Sequence, residues 1–358
     1  MTRWFGVRRF IYNKCLSLIN QDFSLIKNTK ELRRLVVNND NYTTENTWML
    51  DYNYDLRDEA LRDLLKNFKS NLAKGDKFKV SYLSKKQNNT SISVLKKHWN
   101  KTRGFWTEVL SPKVLKCSEL LPEQLEHDSR LIKSATGKYY LCIPRTIREN
   151  QTKKSRCIFI DPGVNPMMMC YSPEGKIYKI GCKDAARIYR LNHYLNKIRS
   201  KIDLSKNKNK VKLLRLAYFR SSETISNIIN DFHRKVAKWL ASNFDVIFTP
   251  KLNFHRMKKL NKKSKQVLMS LKHCSFVDAL KVKTELYNSK TVVVNESYTS
   301  KTCSCCGYQN EKLGKSKVFA CKDCGKVIDR DINGAINIML RYFTKRVALG
   351  ITYSGVAA

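Results

Sequence analysis

Acidic residues are scarce in this chain of 358 residues. Lysine and arginine together number 69, whereas aspartate and glutamate number 30, so the formal net charge is +39 and the isoelectric point is near 9.9. Such an excess of positive charge destabilises a folded chain by self-repulsion unless a polyanion neutralises it. Nucleic acid is the obvious polyanion, and it would bind through its phosphates in a salt-dependent way.

Long apolar runs are also missing. No stretch of about eighteen apolar residues could span a bilayer, and no basic amphipathic helix dominates, so we expect no membrane partner. The start, MTRWFGVRRF, has no apolar segment typical of a secretory signal. A hydrophobic fraction of 42% is nevertheless ordinary for a folded domain. These features predict a folded intracellular protein.

A disulfide framework is not indicated either. Isolated cysteines are typical of reduced thiols in an intracellular protein. Seven of the twelve cysteines stand alone in this way: Cys15, Cys117, Cys142, Cys157, Cys170, Cys182 and Cys274. The other five lie between Cys303 and Cys324.

Within that cluster, the pairs Cys303/Cys306 and Cys321/Cys324 are separated by fourteen residues, and each precedes a glycine. Glycine lets the backbone turn so that its N–H groups face the thiolates. Pairs at this spacing predict a tetrahedral four-cysteine zinc ribbon, a closed structural site. A redox pair or free thiols are the alternatives. Cys305 could replace Cys306, but the two-residue spacing and the following glycine favour Cys306.

The first part of the chain combines helices with short strands. Apolar spacing predicts helices over residues 4–19 and 55–72. Between residues 77 and 144, the segments KFKVSYL, TSISVL, GFWTEVL and KYYLCIP have the composition and bounding turns of strands. The polar stretch from 145 to 156 is typical of a linker, so we place one domain at residues 1–150 and another at residues 156–358.

The second part mixes strands and helices. RCIFI, MMMCY and KIYKI predict three strands, the last two joined by the hairpin turn SPEG. Two long helices follow, then the strand DVIF, the basic run HRMKKLNKKSK, a helix over residues 266–287 and the strand TVVV. This order predicts a mixed α/β sheet. The basic run is either a solvated loop, a nucleic-acid contact or an import signal.

Two aspartates at the ends of these elements are candidate metal ligands. Asp161 ends the apolar strand RCIFI and precedes a Pro-Gly turn, so it is either a turn former or a carboxylate on rigid support. Asp331 lies near a helix start in DRDINGAINI, where it is either an N-cap or a second carboxylate. Carboxylates from distant chain positions are what two-metal phosphodiester hydrolysis needs, because Mg²⁺ ions must contact the attacking and leaving oxygens.

Four motifs, in order, carry a family resemblance: IFIDPGVNP, NESYTSKTCSCCG, CKDCG and DRDINGAINI. They resemble the TnpB proteins of bacterial insertion sequences and their eukaryotic and viral relatives, the Fanzor proteins. Weaker agreement covers WFGVRRFIYNKCL and FHRKVAKWLASNFDVIFTPKL, so the resemblance spans nearly the whole chain. That family is similar to the type V CRISPR nucleases.

The resemblance implies both a fold and an activity. The implied fold is an α/β RNase H-like (RuvC) mixed sheet in residues 156–358 with a zinc ribbon inserted at 299–328. A β-barrel wedge and a helical recognition module in residues 1–150 would precede it. The implied activity is RNA-guided cleavage of double-stranded DNA beside a short target-adjacent motif, with Mg²⁺ as catalytic and Zn²⁺ as structural metal. The implied assembly is a monomeric ribonucleoprotein with a guide RNA, in which the residues that bind nucleic acid include Arg8, Arg9 and Lys14.

The resemblance makes Asp161 the first catalytic acid and Asp331 the third, but the second acid is missing from its usual place. After DVIF most TnpB chains have a glutamate, whereas this chain reads FTPKLN over residues 248–253. Some relatives carry a relocated glutamate in the NESYTS segment, and Glu296 matches it. We expect TVVV to lie parallel to DVIF, only about 4.8 Å away, so that Glu296 reaches the same sheet edge. The alternative is a surface glutamate beside the ribbon.

Three functions follow from these alternatives. The first is an active RNA-guided endonuclease associated with a mobile element, and the second is a guide-RNA- and DNA-binding regulator that has lost cleavage. The third is a zinc-ribbon DNA-binding protein whose aspartates are fortuitous. The relocated glutamate favours the Fanzor-like branch, hence a nuclear protein if the source is eukaryotic or viral and a cytoplasmic one otherwise. Relatives usually begin with one more strand, so we expect either that the wedge barrel is incomplete or that the given start lies too late.

Overall fold

The computed structural model describes residues 2–38, 40, 42, 46–75, 78–87, 89–102, 104–105, 117–146, 156–250, 262–294, 299–311, 313–314 and 316–348. The chain divides into two compact units, Met1–Thr146 and Ile147–Ala358. No helix in these described ranges is long and apolar enough to cross a membrane.

The described part of the first unit contains three α-helices: α1 (Thr2–Gln21), α2 (Thr29–Leu32) and α3 (Tyr54–Leu72). The helices predicted over residues 4–19 and 55–72 are therefore confirmed. Apolar side chains of α1 and α3, among them Ile11 and Leu61, share one buried core. The side chain of Asn53 caps α3, since its Oδ1 accepts a hydrogen bond from the N–H of Asp55 at 2.8 Å.

The described strands of the first unit form a three-stranded antiparallel sheet, in the order β1-β4-β5, and a separate pair. They are β1 (Thr90–Val94), β2 (Trp99–Asn100), β3 (Gly104–Phe105), β4 (Ser129–Lys133) and β5 (Tyr139–Cys142). The strand predicted at KFKVSYL is wrong over residues 78–83. The backbone of Leu83 there pairs with the side chain of Asn13, with its N–H 2.7 Å from Oδ1 and its carbonyl oxygen 3.0 Å from Nδ2. A side chain thus satisfies the groups that a strand partner would have satisfied.

A five-stranded mixed sheet forms the base of the second unit, as the sequence predicts. Its strands are β6 (Cys157–Pro162), β7 (Met168–Tyr171), β8 (Ile177–Ile180), β9 (Val246–Pro250) and β10 (Lys290–Val294). The order across the sheet is β10-β9-β6-β7-β8. Strands β6, β9 and β10 are parallel, whereas β7 and β8 are antiparallel to their neighbours. The expected parallel pairing of DVIF with TVVV is confirmed.

The described part of the second unit has five α-helices: α4 (Asp184–Leu204), α5 (Lys208–Asn243), α6 (Lys262–Ser270), α7 (His273–Leu286) and α8 (Arg330–Ala348). Helices α5 and α7 pack on the face that carries Ile158 and Ile160 of β6. Helix α8 packs through Ile338 on the opposite face, against Phe159 and Phe248. Because side chains alternate along a strand, Asp161 has the same orientation as Phe159, toward α8.

The single helix predicted over residues 266–287 is wrong, because the chain breaks it into α6 and α7. Lys272, at the break, has a left-handed backbone with φ of 46°, a conformation that ends a helix. Further on, β11 (Val318–Ala320) and β12 (Val327–Asp329) form an antiparallel hairpin that leads directly into α8.

Candidate functional site

Asp161 lies at the end of the central strand β6, between β9 and β7. The carboxyl end of a parallel strand is where α/β sheets usually place their functional groups. Phe159, Phe248 and Val292 form one row across β6, β9 and β10. Two residues further along each strand lie Asp161, Pro250 and Val294. The register therefore directs the ends of all three parallel strands to one edge of the sheet.

Strand β9 brings no acid to this edge. Phe248 stacks on Phe159, with ring centroids 4.3 Å apart and an interplanar angle of 4°, and the strand ends at Thr249 and Pro250. The second acid, which is absent from its usual place after DVIF in the sequence, is therefore also absent from the described part of β9. Glu296, which was predicted to replace it, lies outside the described residues.

The first turn of α8 packs directly against the carboxylate of Asp161. A Cβ atom placed on Gly334 would meet Asp161 Oδ2 at less than the 3.0 Å that real Cβ atoms keep. Only glycine thus leaves room for this carboxylate against the helix. Asp331 precedes Gly334 by three residues, which is about one helical turn. The fold therefore places Asp161 and the start of α8, with Asp331, in the same neighbourhood.

The N-cap interpretation of Asp331 is wrong, because a neighbouring acid has that role. Asp329 Oδ1 accepts hydrogen bonds from the N–H groups of Asp331 at 2.9 Å and of Ile332 at 3.4 Å. Lys179 also contacts Asp329, with Nζ 3.3 Å from Oδ2. Partial burial raises the pKa of Asp329, but these hydrogen bonds and the positive charge of Lys179 outweigh burial and lower it. The carboxylate of Asp331 is thereby left for another contact.

That contact is Lys317, from the segment just before β11. Its Nζ lies 2.9 Å from Asp331 Oδ2 and donates a hydrogen bond to the carbonyl oxygen of Asn165 at 3.0 Å. Asn165 belongs to the loop that follows Asp161. One ammonium group therefore links the start of α8 to the loop after β6 and compensates part of the negative charge at this edge.

The four predicted cysteines do come together. The Sγ atoms of Cys303, Cys306, Cys321 and Cys324 all lie within 4.8 Å of one another. Two of the separations are 3.7 Å, between Cys303 and Cys324, and 3.5 Å, between Cys306 and Cys321. A tetrahedral zinc ion with Zn–S bonds of about 2.3 Å needs sulfur atoms about 3.8 Å apart. The cluster fits zinc, and among the residues that the structure describes it is the one group of at least three metal-ligating side chains.

Local geometry explains why these cysteines suit a metal. Gly307 and Gly325, which follow the pairs, have φ values of 80° and 72°, the left-handed conformation that glycine adopts readily. Burial raises the pKa of Cys303, but N–H groups of Cys306 and Cys305 near the sulfur outweigh this and bring the pKa down to about 7. Cys305 itself is exposed and not part of the cluster, so the choice of Cys306 is confirmed.

Two buried asparagines connect α8 to the loop that begins the ribbon. Asn333 is fully buried, its Oδ1 accepts from the N–H of Ser304 at 3.0 Å, and its Nδ2 donates to the carbonyl oxygen of Thr302 at 2.7 Å. Asn337 donates to the carbonyl oxygens of Thr299 at 2.8 Å and Thr302 at 2.5 Å. These hydrogen bonds were not predicted from the sequence. The pattern that could have indicated them is the pair of asparagines four residues apart on the apolar side of the helix.

The predicted nucleic-acid-binding residues of α1 have different surroundings. Arg8 and Arg9 line a pocket of about 420 Å³ together with Lys85, Lys86 and Lys133. Arg8 also pairs with the buried Asp63, its Nε 3.3 Å from Oδ2, and its side chain is only 13% exposed. Lys14 is exposed and does not line this pocket. The structure therefore groups Arg8 and Arg9 and separates Lys14 from them.

Known proteins share both the fold and parts of the sequence. Residues 273–338 match the family described as Cas12f1-like, TNB domain. A solved Cas12f1, in a complex with sgRNA and target DNA, superposes with a TM-score of 0.56 at 16% identity, over 94% of this chain and 81% of that one. The class is therefore a mixed α/β protein with a Cas12f-like fold and a four-cysteine ribbon.

Viral proteins resemble the chain in sequence. A putative transposase, A625R, of Paramecium bursaria Chlorella virus 1 is 24% identical over 98% of this chain and 85% of its own length. The TnpB-like protein L79 of Acanthamoeba polyphaga mimivirus is 32% identical over 58% of this chain. The match spans only 41% of the mimivirus protein. The expected resemblance to TnpB and Cas12-type proteins is therefore confirmed.

Proposed function

We propose that this chain is an RNA-guided DNA endonuclease of a mobile element, and that Asp161, Glu296 and Asp331 form its Mg²⁺-dependent RuvC-like site. The observation that carries the proposal is the contact between the Asp161 carboxylate and the first turn of α8 at Gly334. It joins two acidic motifs that are 170 residues apart in the sequence at one sheet edge. A turn-forming role of Asp161 alone would not require glycine at position 334, whereas a carboxylate held against α8 does.

The donor set fits a hard cation. Carboxylates are the ligands that Mg²⁺ prefers, and both described acids belong to rigid elements, a central strand and a helix start. When bound, Mg²⁺ would activate a water molecule and stabilise the leaving oxygen of a scissile phosphate. Asp161 and Asp331 would hold the cation, and Lys317 would have to share or release Asp331 for this to occur.

Glu296 is proposed as the third member of the site. It follows Val294 by two residues, and Val294 packs on the α8 side of the sheet. Val294 is the last residue of β10, so Glu296 lies two residues beyond the strand in the sequence. The apolar end of β9 supports this proposal, since Phe248, Thr249 and Pro250 supply no carboxylate from the neighbouring strand.

The ribbon would have a structural role. A zinc ion in the four-cysteine cluster would fix the loop from Thr299 to Cys306, and Asn333 and Asn337 tie that loop to α8. In this account zinc catalyses nothing and stabilises the helix that carries Asp331. The first unit would contribute the wedge and recognition modules, with Arg8 and Arg9 at its basic pocket facing guide RNA or target DNA.

The end of β9 also favours a second function, a guide-RNA- and DNA-binding regulator without cleavage. The experiment that separates the two uses protein purified together with its RNA and a plasmid library with a matching target beside random flanking sequence. An active nuclease linearises a subset of plasmids in Mg²⁺, and Glu296→Gln abolishes cutting but not binding. A wild type that binds the target but never cuts would support the regulator, and a Glu296→Gln variant that cuts normally would remove Glu296 from the site.

A further inference from the structure

The helical pair α4–α5 carries positive charge that the acid site does not use. Residues 187–220, called here the basic hairpin, contain eleven lysines and arginines and one acid, Asp203. The eleven are Arg187, Arg190, Lys197, Arg199, Lys201, Lys206, Lys208, Lys210, Lys212, Arg215 and Arg220. All eleven are exposed, and within the described part of the chain none of them forms an ion pair.

The packing of the hairpin explains why the charges face outward. Ile188, Leu195 and Ile198 of α4 are buried, with spacings that keep them on one side of the helix. Ile188 and Leu195 share one apolar cluster with Ile225 and Ile229 of α5. This stripe fixes the inner side of the hairpin. The basic residues occupy the remaining surface.

The arrangement of these charges is unfavourable for the helices themselves. Arg187 and Arg190, and Lys208 and Lys212, are like charges three or four residues apart, which repel each other on a helix. Helix α5 begins at Lys208 and has no acid in its first turn, although the positive end of the helix dipole disfavours cations there. The second half of the same helix is different, since Lys235 pairs with Asp231 at 2.8 Å. The exposed, unpaired bases are thus most numerous where they oppose helix formation, which indicates a function for them.

We propose that the basic hairpin binds the phosphate backbone of nucleic acid. From Arg187 to Leu204, α4 extends about 26 Å, and a duplex carries one phosphate charge per about 1.7 Å, so about fifteen phosphates lie within its reach. Charged groups at the ends of long, flexible side chains suit contact with the phosphates of nucleic acid rather than recognition of its bases. The inference goes beyond the acid site and remains testable whether or not the chain cleaves DNA.

The test measures how affinity depends on salt. Full-length protein is titrated against a fluorescein-labelled DNA duplex of about 20 base pairs, and separately an RNA duplex of the same length, between about 50 and 300 mM KCl, with anisotropy as the readout. The variant replaces Lys206, Lys208 and Lys210 by Gln. If all three contact phosphates of B-DNA, the slope of log K against log salt falls by about 2.7.

A matched control removes the same charge from the far half of α5, with Arg234, Lys235 and Lys238 replaced by Gln. The proposal expects a slope change of at least one for the hairpin variant and none for the control, with both variants retaining the helical circular dichroism of the wild type. A change with RNA only assigns the hairpin to the guide, and a change with DNA only assigns it to the target. Equal slopes for wild type, variant and control would overturn the proposal, even if the wild type cleaves DNA.

Discussion

Gly334→Ala should increase the stability of α8 through helix propensity and decrease the rate of DNA cleavage. Alanine is favoured over glycine inside a helix by about 1 kcal/mol, so on propensity alone α8 becomes more stable. The new Cβ would however meet Asp161 Oδ2 at less than 3.0 Å, whereas ordinary contact begins at 3.4 Å, so the carboxylate must retreat by more than 0.4 Å. A misplacement of about 1 Å at a catalytic group costs about a hundredfold in rate. We therefore expect cleavage to fall between about tenfold and a hundredfold.

Two assays follow this variant. Single-turnover cleavage of a matched plasmid by the ribonucleoprotein gives the rate, and calorimetric titration with Mn²⁺ gives metal affinity independently of cleavage. The stability control is Gly6→Ala in α1, where a Cβ meets nothing within 4 Å, so that variant reports the propensity gain alone. A Gly334→Ala protein with wild-type cleavage and wild-type Mn²⁺ affinity would refute the inference that Gly334 makes room for a functional carboxylate.

Three further predictions concern the ribbon and the start of α8. Asn337→Ala removes the two hydrogen bonds that Asn337 donates to the carbonyl oxygens of Thr299 and Thr302, so the free energy of unfolding in urea should fall by about 1–3 kcal/mol, whereas Asn209→Ala, at an exposed position, should change it by less than about 0.5 kcal/mol. A chelator should release one Zn²⁺ per chain, measured with a colorimetric indicator, and the loss of zinc should lower hydrogen-exchange protection in the first turns of α8. Unchanged protection would contradict the coupling of the ribbon to α8 through Asn333 and Asn337. Partial burial raises the pKa of Asp329, but its hydrogen bonds outweigh burial and lower this pKa below the ordinary value of 3.8. The ionised Asp329 carboxylate therefore stabilises the fold above pH 3.8, and this stabilisation is lost as the pH falls through the lower pKa of the folded state. Asp329→Asn retains a side chain that can cap the helix, but it should reduce the loss of unfolding free energy at acidic pH. Identical profiles of unfolding free energy against pH for wild type and variant would contradict this prediction.

Local patterns made much of the second unit predictable. The apolar run in RCIFI indicated a strand with Asp161 at its end, and the spacing from Cys303 to Cys324 predicted the four-cysteine cluster. The parallel pairing of β9 and β10 followed from the family resemblance, which implies an RNase H-like sheet with these two strands side by side. These features depend on residues close in sequence or on general topology.

Contacts between distant segments could not be predicted in the same way. Whether Asp331 or Asp329 caps α8 depends on the angle at which β12 enters the helix, and Lys317 meets Asp331 only because the ribbon hairpin folds back toward Asn165. The break at Lys272 gives no strong sequence signal, since neither glycine nor proline marks it. At KFKVSYL the backbone of Leu83 pairs with the side chain of Asn13, a contact between segments 70 residues apart that the local composition does not indicate.

The measurement that tests the central claim most directly is cleavage of a plasmid whose target matches the RNA that co-purifies with the protein, by wild type and by Asp161→Asn, over a series of Mg²⁺ concentrations. Asp161→Asn preserves the size of the side chain beside Gly334 and removes its charge. The account predicts Mg²⁺-dependent linearisation by the wild type and none by Asp161→Asn, with equal binding of the target by both. Equal cleavage by the two proteins, or a wild type that binds and never cuts, would contradict it.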